Sequence, residues 1–390
     1  MCDVPALRFP EFSGEWNTSS IGEQFELYSG NTPSRMDKKQ FDGTINWITS
    51  GELKEHYIAD TKEKISDEAV KSNNLKLLSV GTFVIAIYGL EADGVRGTCS
   101  ITASESTISQ ACMAFISKKD IANEFLYAWY KKHGNIIGIR YAQGTKQQNL
   151  SYDIIEKFNI SYPCIEEQKK LIHFISLIDE RIVTQNKIIE KLETLIKGIV
   201  ELSFNHAATS DTLGCHITQI SQRNKNGKDL PVLSVSNKHG FVEQSEQFED
   251  RIIASDDKSN YKIVSINDFA FNPARINVGS IARLKDKECG IVSPMYICFR
   301  TSKNILPEYL ELFFKTVTFS SEVVKRLEGS VRLCLSYESL CEIVIPVISI
   351  KEQQSLVKMA TAFYSKLDVE KSFLRSYQSQ KQYLLSQMFI

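Results

Sequence analysis

The sequence lacks an excess of charge of either sign, because 46 lysines and arginines face 47 aspartates and glutamates in 390 residues. A protein with this balance has no broad cationic field, so contact with nucleic acid must come from local clusters. The sequence also lacks an apolar run of membrane-spanning length and an apolar segment near its first residue. It therefore predicts no membrane partner and no secretory signal, and we expect a cytoplasmic protein.

Paired cysteines and the common catalytic motifs are absent as well. The nine cysteines form no Cys-x-x-Cys pair and are odd in number, which argues against structural zinc and a disulfide framework. No Walker A loop, nucleophile elbow or His-Glu-x-x-His metal motif occurs. Asn272-Pro273 resembles part of the Asn-Pro-Pro-aromatic motif of adenine methyltransferases, but Ala274 and Arg275 follow it. We therefore expect a strand-ending turn there, and no catalytic or metal site in this chain.

Two long stretches are almost free of glycine and proline. Between residues 163 and 214 only Gly198 interrupts, and neither residue occurs after 346. Apolar residues in the first stretch recur at alternating spacings of four and three, broken only by Gln185. This heptad pattern predicts a long helix with a coiled-coil seam. The seam comprises Leu171, Ile175, Ile178, Ile182, Gln185, Ile189, Leu192, Ile196 and Ile199.

The second stretch repeats the first at an offset of 185 residues. Its polar break falls at Glu370, and Lys381 is the one clear departure. The same offset relates Gly144 to Gly329 and residues 150–152 to 335–337. A shared offset of this kind predicts a duplicated chain. The second seam comprises Leu356, Ala360, Phe363, Leu367, Glu370, Leu374, Tyr377, Lys381 and Leu384.

These patterns predict a mixed α/β (α+β) fold with an internal pseudo-two-fold repeat. We expect a variable domain at 1–163, a long helix at 164–206, a second variable domain at 207–348 and a second long helix at 349–390, the helices pairing as an antiparallel coiled coil. Shorter helices are predicted at 123–132 and 307–315. Strands are predicted at 81–88, 230–235, 262–271, 280–284 and 291–299.

Local charge remains as the candidate binding chemistry. Residues 131–149 contain four lysines and arginines, several amides and no acid, and residues 257–303 contain eight basic and four acidic side chains. Such clusters can bind phosphates, and their arginine and amide groups can read base edges. A solvated surface is the plainer interpretation of either cluster alone.

Several segments together resemble the specificity subunits of Type I restriction–modification enzymes. The resemblance covers nearly the whole chain and depends on the combination of segments, although the second glycine loop, at 329–336, departs from the first. The matching segments are RFPEFSGEW at 8–16, SGNTPS at 29–34, WITSGE at 47–52, GTKQQNLS at 144–151, FAFNPAR at 269–275 and GIVSPMY at 290–296.

The resemblance implies a non-catalytic subunit with two target-recognition domains, each binding one half of an asymmetric, bipartite site on double-stranded DNA. The paired helices would set the spacer and dock two modification (methyltransferase) subunits, which two restriction (translocase and nuclease) subunits join. S-adenosylmethionine, ATP and magnesium would be bound by those partners, and no cofactor by this chain.

Most of the residues predicted to contact DNA lie in the matching segments or in the basic clusters. They are Thr32, Ser34, Arg35, Ser50, Tyr88, Lys131, Lys132, Lys146, Gln147, Arg223, Asn237, Lys238, Asn272, Arg275, Ser280, Tyr296 and Arg332. Two alternatives remain at this point: a fragment of a fused DNA adenine methyltransferase, or a coiled-coil adaptor.

Overall fold

The computed structural model describes residues 4–118, 120–144, 147–205, 209–237, 239–243, 258–329 and 332–390. The chain divides into two units, one of Met1–Gln185 with Phe373–Ile390 and one of Asn186–Ser372. Each unit therefore contains part of both long helices, whereas the sequence predicted four consecutive segments. The mixed helix-and-sheet fold class is confirmed.

Two helices are far longer than the others. Helix α5 spans Ile165–Asn205 and helix α9 spans Ile350–Met388, close to the predicted 164–206 and 349–390. The shorter helices in the described residues are α1 (Ile21–Gln24), α2 (Asp67–Ser72), α3 (Asn123–Tyr141), α4 (Tyr152–Glu156), α6 (Pro307–Phe313), α7 (Val317–Lys325) and α8 (Tyr337–Cys341).

In the first unit, the described strands form three sheets. A two-stranded sheet pairs β1 (Asn17–Ser20) with β10 (Asn159–Tyr162) and so joins the two ends of the variable segment. The five-stranded sheet has the order β2-β9-β6-β7-β4, and the three-stranded sheet the order β5-β3-β8. The remaining strands are β2 (Phe25–Ser29), β3 (Ile45–Ile48), β4 (Tyr57–Ile58), β5 (Lys64–Ile65), β6 (Phe83–Ala86), β7 (Cys99–Thr102), β8 (Ser106–Ile108) and β9 (Cys112–Ser117).

In the second unit, a matching two-stranded sheet pairs β11 (Ser210–Thr212) with β20 (Val344–Pro346). Two four-stranded sheets have the orders β12-β19-β16-β17 and β14-β13-β18-β15. Their strands are β12 (Ile217–Ile220), β13 (Val232–Ser236), β14 (Gly240–Glu243), β15 (Lys262–Ser265), β16 (Phe269–Phe271), β17 (Ile281–Arg283), β18 (Cys289–Val292) and β19 (Ile297–Thr301).

Turns interrupt two of the predicted strands. The stretch 262–271 is divided at Asn267, whose φ of +69° is left-handed, and 291–299 is divided at the Ser293-Pro294 turn, because proline removes a ladder donor. The predicted helix at 307–315 ends at Phe313, and α7 follows. The predicted helix at 123–132 continues to Tyr141.

Every predicted seam position is buried or partly buried. Flanking residues such as Ile188, Leu195 and Leu202 are exposed instead. The seam members are Ile175, Ile178, Ile182, Gln185, Ile189, Leu192, Ile196 and Ile199 on α5, and Phe363, Leu367, Glu370, Leu374, Tyr377, Lys381 and Leu384 on α9. The heptad pattern therefore identified the buried stripe of each helix.

Within the first unit, α5 and the end of α9 make contacts in opposite chain order. The Lys381 ammonium lies 2.5 Å from an Asp179 carboxylate oxygen, and the Arg181 guanidinium lies 5.6 Å from the Tyr377 ring centroid. The departure at Lys381 is thus an ion pair at the edge of the seam. A coiled coil along the full length of both helices stays a prediction.

A buried glutamine joins each long helix to the domain before it. Gln168 accepts a hydrogen bond from Ala122 N–H (3.0 Å) and donates to the carbonyls of Asp120 (2.7 Å) and Pro163 (2.9 Å). Gln353 accepts from Leu306 N–H and donates to the carbonyls of Asn304 and Ile348, each at 2.9 Å.

Both glutamine side chains are fully buried. Their partners repeat at offsets of 184 or 185 residues, so the duplication extends to individual hydrogen bonds.

The end of each long helix also packs on a helix of one unit, α3 in the first unit and α6 in the second. In the first unit, the Phe389 ring lies 5.3 Å from that of Phe125 on α3. In the second, Phe204 lies 4.8 Å from Tyr309 on α6, and the Glu201 carboxylate accepts hydrogen bonds from the backbone N–H groups of Val317 and Thr318 at the start of α7. These contacts tie each unit to the end of one long helix as well as to the beginning of the other.

We predict that Gln168→Leu lowers the free energy of unfolding by about 2–4 kcal/mol, because it leaves a buried N–H and two buried carbonyls unpaired. Urea unfolding monitored by circular dichroism measures the change. Gln380→Leu, at an exposed position of α9, is the control and should stay close to the unchanged chain. Equal midpoints for the two variants would contradict the role given to Gln168.

Candidate nucleic-acid interface

Each unit contains a closed loop that begins at a glycine. In the first, Gln143 and Asn149 exchange two backbone hydrogen bonds of 2.9 Å, and in the second Glu328 and Cys334 do so at 3.0 and 2.8 Å. The enclosed glycines have left-handed φ values of +109° (Gly144) and +124° (Gly329). The closure is the same in both units, although the loop sequences differ.

Close backbone contact as well as φ requires glycine at these positions. A Cβ on Gly144 would lie 2.0 Å from the Gln147 carbonyl oxygen, and one on Gly329 would lie 2.3 Å from that of Arg332. Neither carbonyl can move without opening the loop, so both glycines are fixed by the local structure.

In the first unit, the glycine loop is bound to the segment that follows β6. Leu90 N–H donates to the Gln148 carbonyl (3.1 Å) and Leu150 N–H to that of Ile87 (2.9 Å). Arg96 donates to the Gln148 side chain at 2.6 Å. The predicted contact residues Tyr88 and Gln147 therefore lie on neighbouring loops, and Lys146 is outside the described residues. The sequence analysis missed Arg96, which stands in a Gly-Val-Arg-Gly turn.

Three further predicted residues of the first unit, Thr32, Ser34 and Arg35, follow β2. The Arg35 guanidinium pairs with Glu63 and lies 4.7 Å from the Phe41 ring centroid. A DNA phosphate would therefore have to compete with Glu63 for this arginine.

Ser50 follows β3, whose last residue, Ile48, accepts a hydrogen bond from Ser109 N–H. Ile87 N–H, just after β6, donates to the carbonyl of Ala111, which lies two residues beyond Ser109. The loops that carry Ser50 and Tyr88 thus adjoin the same β8–β9 turn.

The predicted basic cluster 131–149 is divided in the structure. The Lys132 ammonium donates to the carbonyls of Phe389 (2.6 Å) and Ser386 (3.2 Å), and burial lowers its pKa. Lys131 lies 5.3 Å from the Tyr127 ring centroid. Lys132 is therefore held against the last turn of α9, which does not fit the DNA contact predicted for it. The glycine loop, in contrast, begins beyond the end of α3.

In the second unit, the glycine loop is bound to the segment that follows β16. Leu335 N–H donates to the Pro273 carbonyl at 3.1 Å. Here a small cavity of about 60 Å³ is lined by Ser236, Asn237, Arg275, Val278 and Ser280, together with Val235. Three predicted contact residues from separate segments (Asn237, Arg275 and Ser280) thus meet at one point, and Lys238 lies outside the described residues.

Burial gives three of the predicted residues a supporting role. Tyr296 is 7% exposed, packs in a hydrophobic cluster and accepts a hydrogen bond from Val235 N–H at its hydroxyl. Asn272 is 8% exposed and accepts from Ala274 N–H, while Ser280 donates to the Val235 carbonyl. The DNA contact predicted for these side chains does not fit their burial.

Several basic side chains of residues 257–303 are paired with acids inside or outside this stretch. Arg283 pairs with Glu308 and Glu311 of α6, and Lys285 also pairs with Glu311. The Arg300 guanidinium pairs with the buried Asp268. Arg223, another predicted contact, donates to the Asn260 side chain and is exposed.

Arg275 and Arg332 remain exposed, and neither forms an ion pair with the part of the chain that the structure describes. They are therefore the arginines of this unit that are best placed to meet an anionic or polar ligand.

The second unit also contains a cavity of about 450 Å³, beside the smaller one. Its floor includes Leu233, Phe269 and Phe314, and its rim carries Arg283 and Lys285 paired with Glu311. These ion pairs, and that of Arg283 with Glu308, already occupy the two cations. Within the described ranges, no group of three or more histidine, cysteine or acidic side chains could hold a metal ion. No helix there is long and apolar enough to cross a membrane.

We predict that Gly329→Ala opens the second glycine loop and destabilises the second unit by about 1–3 kcal/mol, through backbone strain and the contact with the Arg332 carbonyl. Hydrogen exchange should accelerate at the Glu328 and Cys334 amides. Gly227→Ala is the matched control, because its φ is also positive (+61°) but a Cβ there would meet open space. Unchanged exchange in Gly329→Ala would contradict the closure.

Residues 13–194 match the model of the Type I restriction modification DNA specificity domain family. A specificity subunit of the Type I restriction enzyme MjaIX, from Methanocaldococcus jannaschii, is 28% identical over 185 residues, covering 46% of this chain and 42% of that protein. The chain spans less than half the length of the curated relatives it matches.

Two solved structures share the fold over nearly the full chain. The Type I restriction–modification S subunit from M. genitalium has a TM-score of 0.58 at 17% identity, with 99% of each chain covered. A chain from a study of complex assembly and conformational transition of the Type I system has a TM-score of 0.62 at 13% identity, with 96% and 97% covered. Residues 13–194 are therefore similar in sequence to the Type I restriction modification DNA specificity domain, and the chain as a whole shares the fold of a solved Type I S subunit.

Proposed function

We propose that this chain is the sequence-specific DNA-recognition subunit of a Type I restriction–modification complex. Each unit would bind one half of a bipartite, asymmetric site on double-stranded DNA. The observation that carries the proposal is the repeated arrangement of a closed glycine loop beside a strand-ending loop, with exposed polar side chains on both. Loops on a rigid scaffold are the usual carriers of recognition.

The two long helices would set the spacer between the half-sites and dock two modification subunits, with two restriction subunits completing the complex. S-adenosylmethionine would be bound by the modification subunits, and ATP and magnesium by the restriction subunits. The chain itself would bind DNA and its partners without catalysing a reaction. The similarity of residues 13–194 to the specificity domain, and to specificity subunits of Type I restriction enzymes, supports this division of roles.

Selection on random duplex DNA tests the proposal directly. The full chain, expressed with its modification subunit, should enrich duplexes with two short conserved segments separated by a spacer of fixed length. The modification subunit alone is the control and should enrich none. A coiled-coil adaptor would enrich no sequence in either case, and a methyltransferase fragment would bind S-adenosylmethionine without its partner.

The exposed face of α5 in the second unit is a candidate docking surface for the modification subunit. Ile188, Leu195 and Leu202 recur every seven residues and are 43%, 59% and 57% exposed; they extend along about 21 Å of helix. Contiguous exposed apolar surface commonly marks a partner site. Ile172, on the part of α5 that belongs to the first unit, is partly buried and packs against the core of that unit.

We predict that Leu195→Glu makes the isolated chain more soluble and reduces co-purification of the modification subunit at least tenfold, because a charge would be buried in the interface. Val324→Glu is the control, since Val324 is 62% exposed on α7 and lies off this stripe. Retention of the partner by Leu195→Glu at the level of the control would place the docking surface elsewhere.

A further inference from the structure

The segment 272–280 of the second unit, which we call the reading loop, is rigid. Asn272 N–H donates to the Ser280 carbonyl (3.0 Å), and Ser280 N–H donates to the Arg275 carbonyl (3.1 Å). The Asn272 side chain accepts from Ala274 N–H at 3.1 Å, and Leu335 N–H, beyond the glycine loop, donates to Pro273. The backbone of the loop is therefore fixed before any ligand arrives.

A single 3₁₀ turn, Ile276–Val278, forms the tip of the reading loop, and Gly279 ends it with a φ of +89°. Arg275 caps this turn, and its carbonyl accepts a hydrogen bond from Val278 N–H at 3.2 Å. Both line the cavity of about 60 Å³ that Ser236 and Asn237 also line. The turn thus presents one cationic and one apolar side chain together.

Both side chains are exposed in the part of the chain that the structure describes. Arg275 is exposed, and its guanidinium makes no ion pair or hydrogen bond to the described residues, in contrast to the paired Arg283 and Arg300. Val278 is 51% exposed, although Ile276, two residues earlier, is buried. A rigid loop that exposes both groups is preorganised for an external partner.

We propose that Arg275 and Val278 read two neighbouring base pairs of the second half-site in the major groove. The Arg275 guanidinium would donate to O6 and N7 of a guanine, and the Val278 methyl groups would contact the C5-methyl group of an adjacent thymine. These are the pairings that arginine and small apolar side chains make with base edges. The inference rests on the proposed function and adds the chemistry by which two neighbouring base pairs would be recognised.

A phosphate contact by Arg275 is the main competing interpretation. It would use the cation but leave the exposed Val278 unexplained, because methyl groups gain nothing from a phosphate. It would also need no particular orientation of the guanidinium, whereas the hydrogen-bonded turn fixes the backbone at Arg275. The pairing of the two side chains therefore favours base reading.

Modified DNA tests the proposal without altering the protein. In the second half-site found by selection, each guanine is replaced by 7-deazaguanine, which lacks N7, and each thymine by uracil, which lacks the methyl group. The full chain with its modification subunits should bind one 7-deazaguanine duplex about tenfold more weakly or worse, and one neighbouring uracil duplex several-fold more weakly.

Protein variants assign those effects to residues. Arg275→Gln should lose the sensitivity to 7-deazaguanine, and Val278→Ala should lose most of the sensitivity to uracil. Both should keep the preference of the unchanged chain at the first half-site. Val324→Ala, exposed on α7, is the control and should retain every sensitivity.

Three results would overturn the proposal. One is a second half-site in which no guanine and thymine occur in neighbouring base pairs, on the same strand or on opposite strands. Another is persistence of both sensitivities in the two variants. A third is an equal weakening of all sequences by Arg275→Gln with a salt slope reduced by about one, which identifies a phosphate contact. Absence of any sequence preference in the unchanged complex would instead refute the proposed function itself.

Discussion

The buried amide of one glutamine in each half holds the rest of this structure in place. Gln168 and Gln353 lie in the first turn of the long helices. Each joins that turn to the beginning of a helix in the preceding domain, α3 or α6, and to the segment just before the long helix. An amide is suited to this place because it accepts one bond and donates two without carrying charge. A glutamate would bring an uncompensated charge and no donors, and a leucine would leave three backbone groups unpaired.

With the helix beginnings fixed in this way, the ends of the same helices complete the domains. Phe389 packs against Phe125, and Phe204 packs against Tyr309. Glu201 accepts hydrogen bonds from the N–H groups at the start of α7. Although burial opposes its ionisation, the hydrogen bonds from Thr318 and Val317 lower its pKa below the usual range. Each variable domain is therefore held at two points, which leaves its loops free to differ in sequence while the scaffold stays constant.

The features that the sequence predicted well are local or periodic. The seam from Ile175 to Ile199 was visible because helical burial repeats every three or four residues, and the duplication was visible because one offset relates many positions. The glycine positions of the two loops could be identified because only glycine readily adopts the left-handed backbone conformation found there.

Charge partners could not be read in the same way, since they are set by the tertiary fold. Arg283 meets glutamates 25 and 28 residues away, and Lys132 meets carbonyls more than 250 residues away. Counting charges along the chain therefore overestimated the cationic surface, and the exposed Val278 carried no signal at all.

The same scaffold presents different chemistry in its two units. In the first, the loop after β6 carries Tyr88, and the arginine that follows is bound to Gln148 of the glycine loop. In the second, the loop after β16 carries Arg275 and Val278, both directed outward from a fixed turn. An amide-rich surface beside Arg96 and an exposed arginine–valine pair do not favour the same bases. On the proposed function, an asymmetric site then follows from these loops alone, because two copies of one scaffold with different tips must prefer two different half-sites.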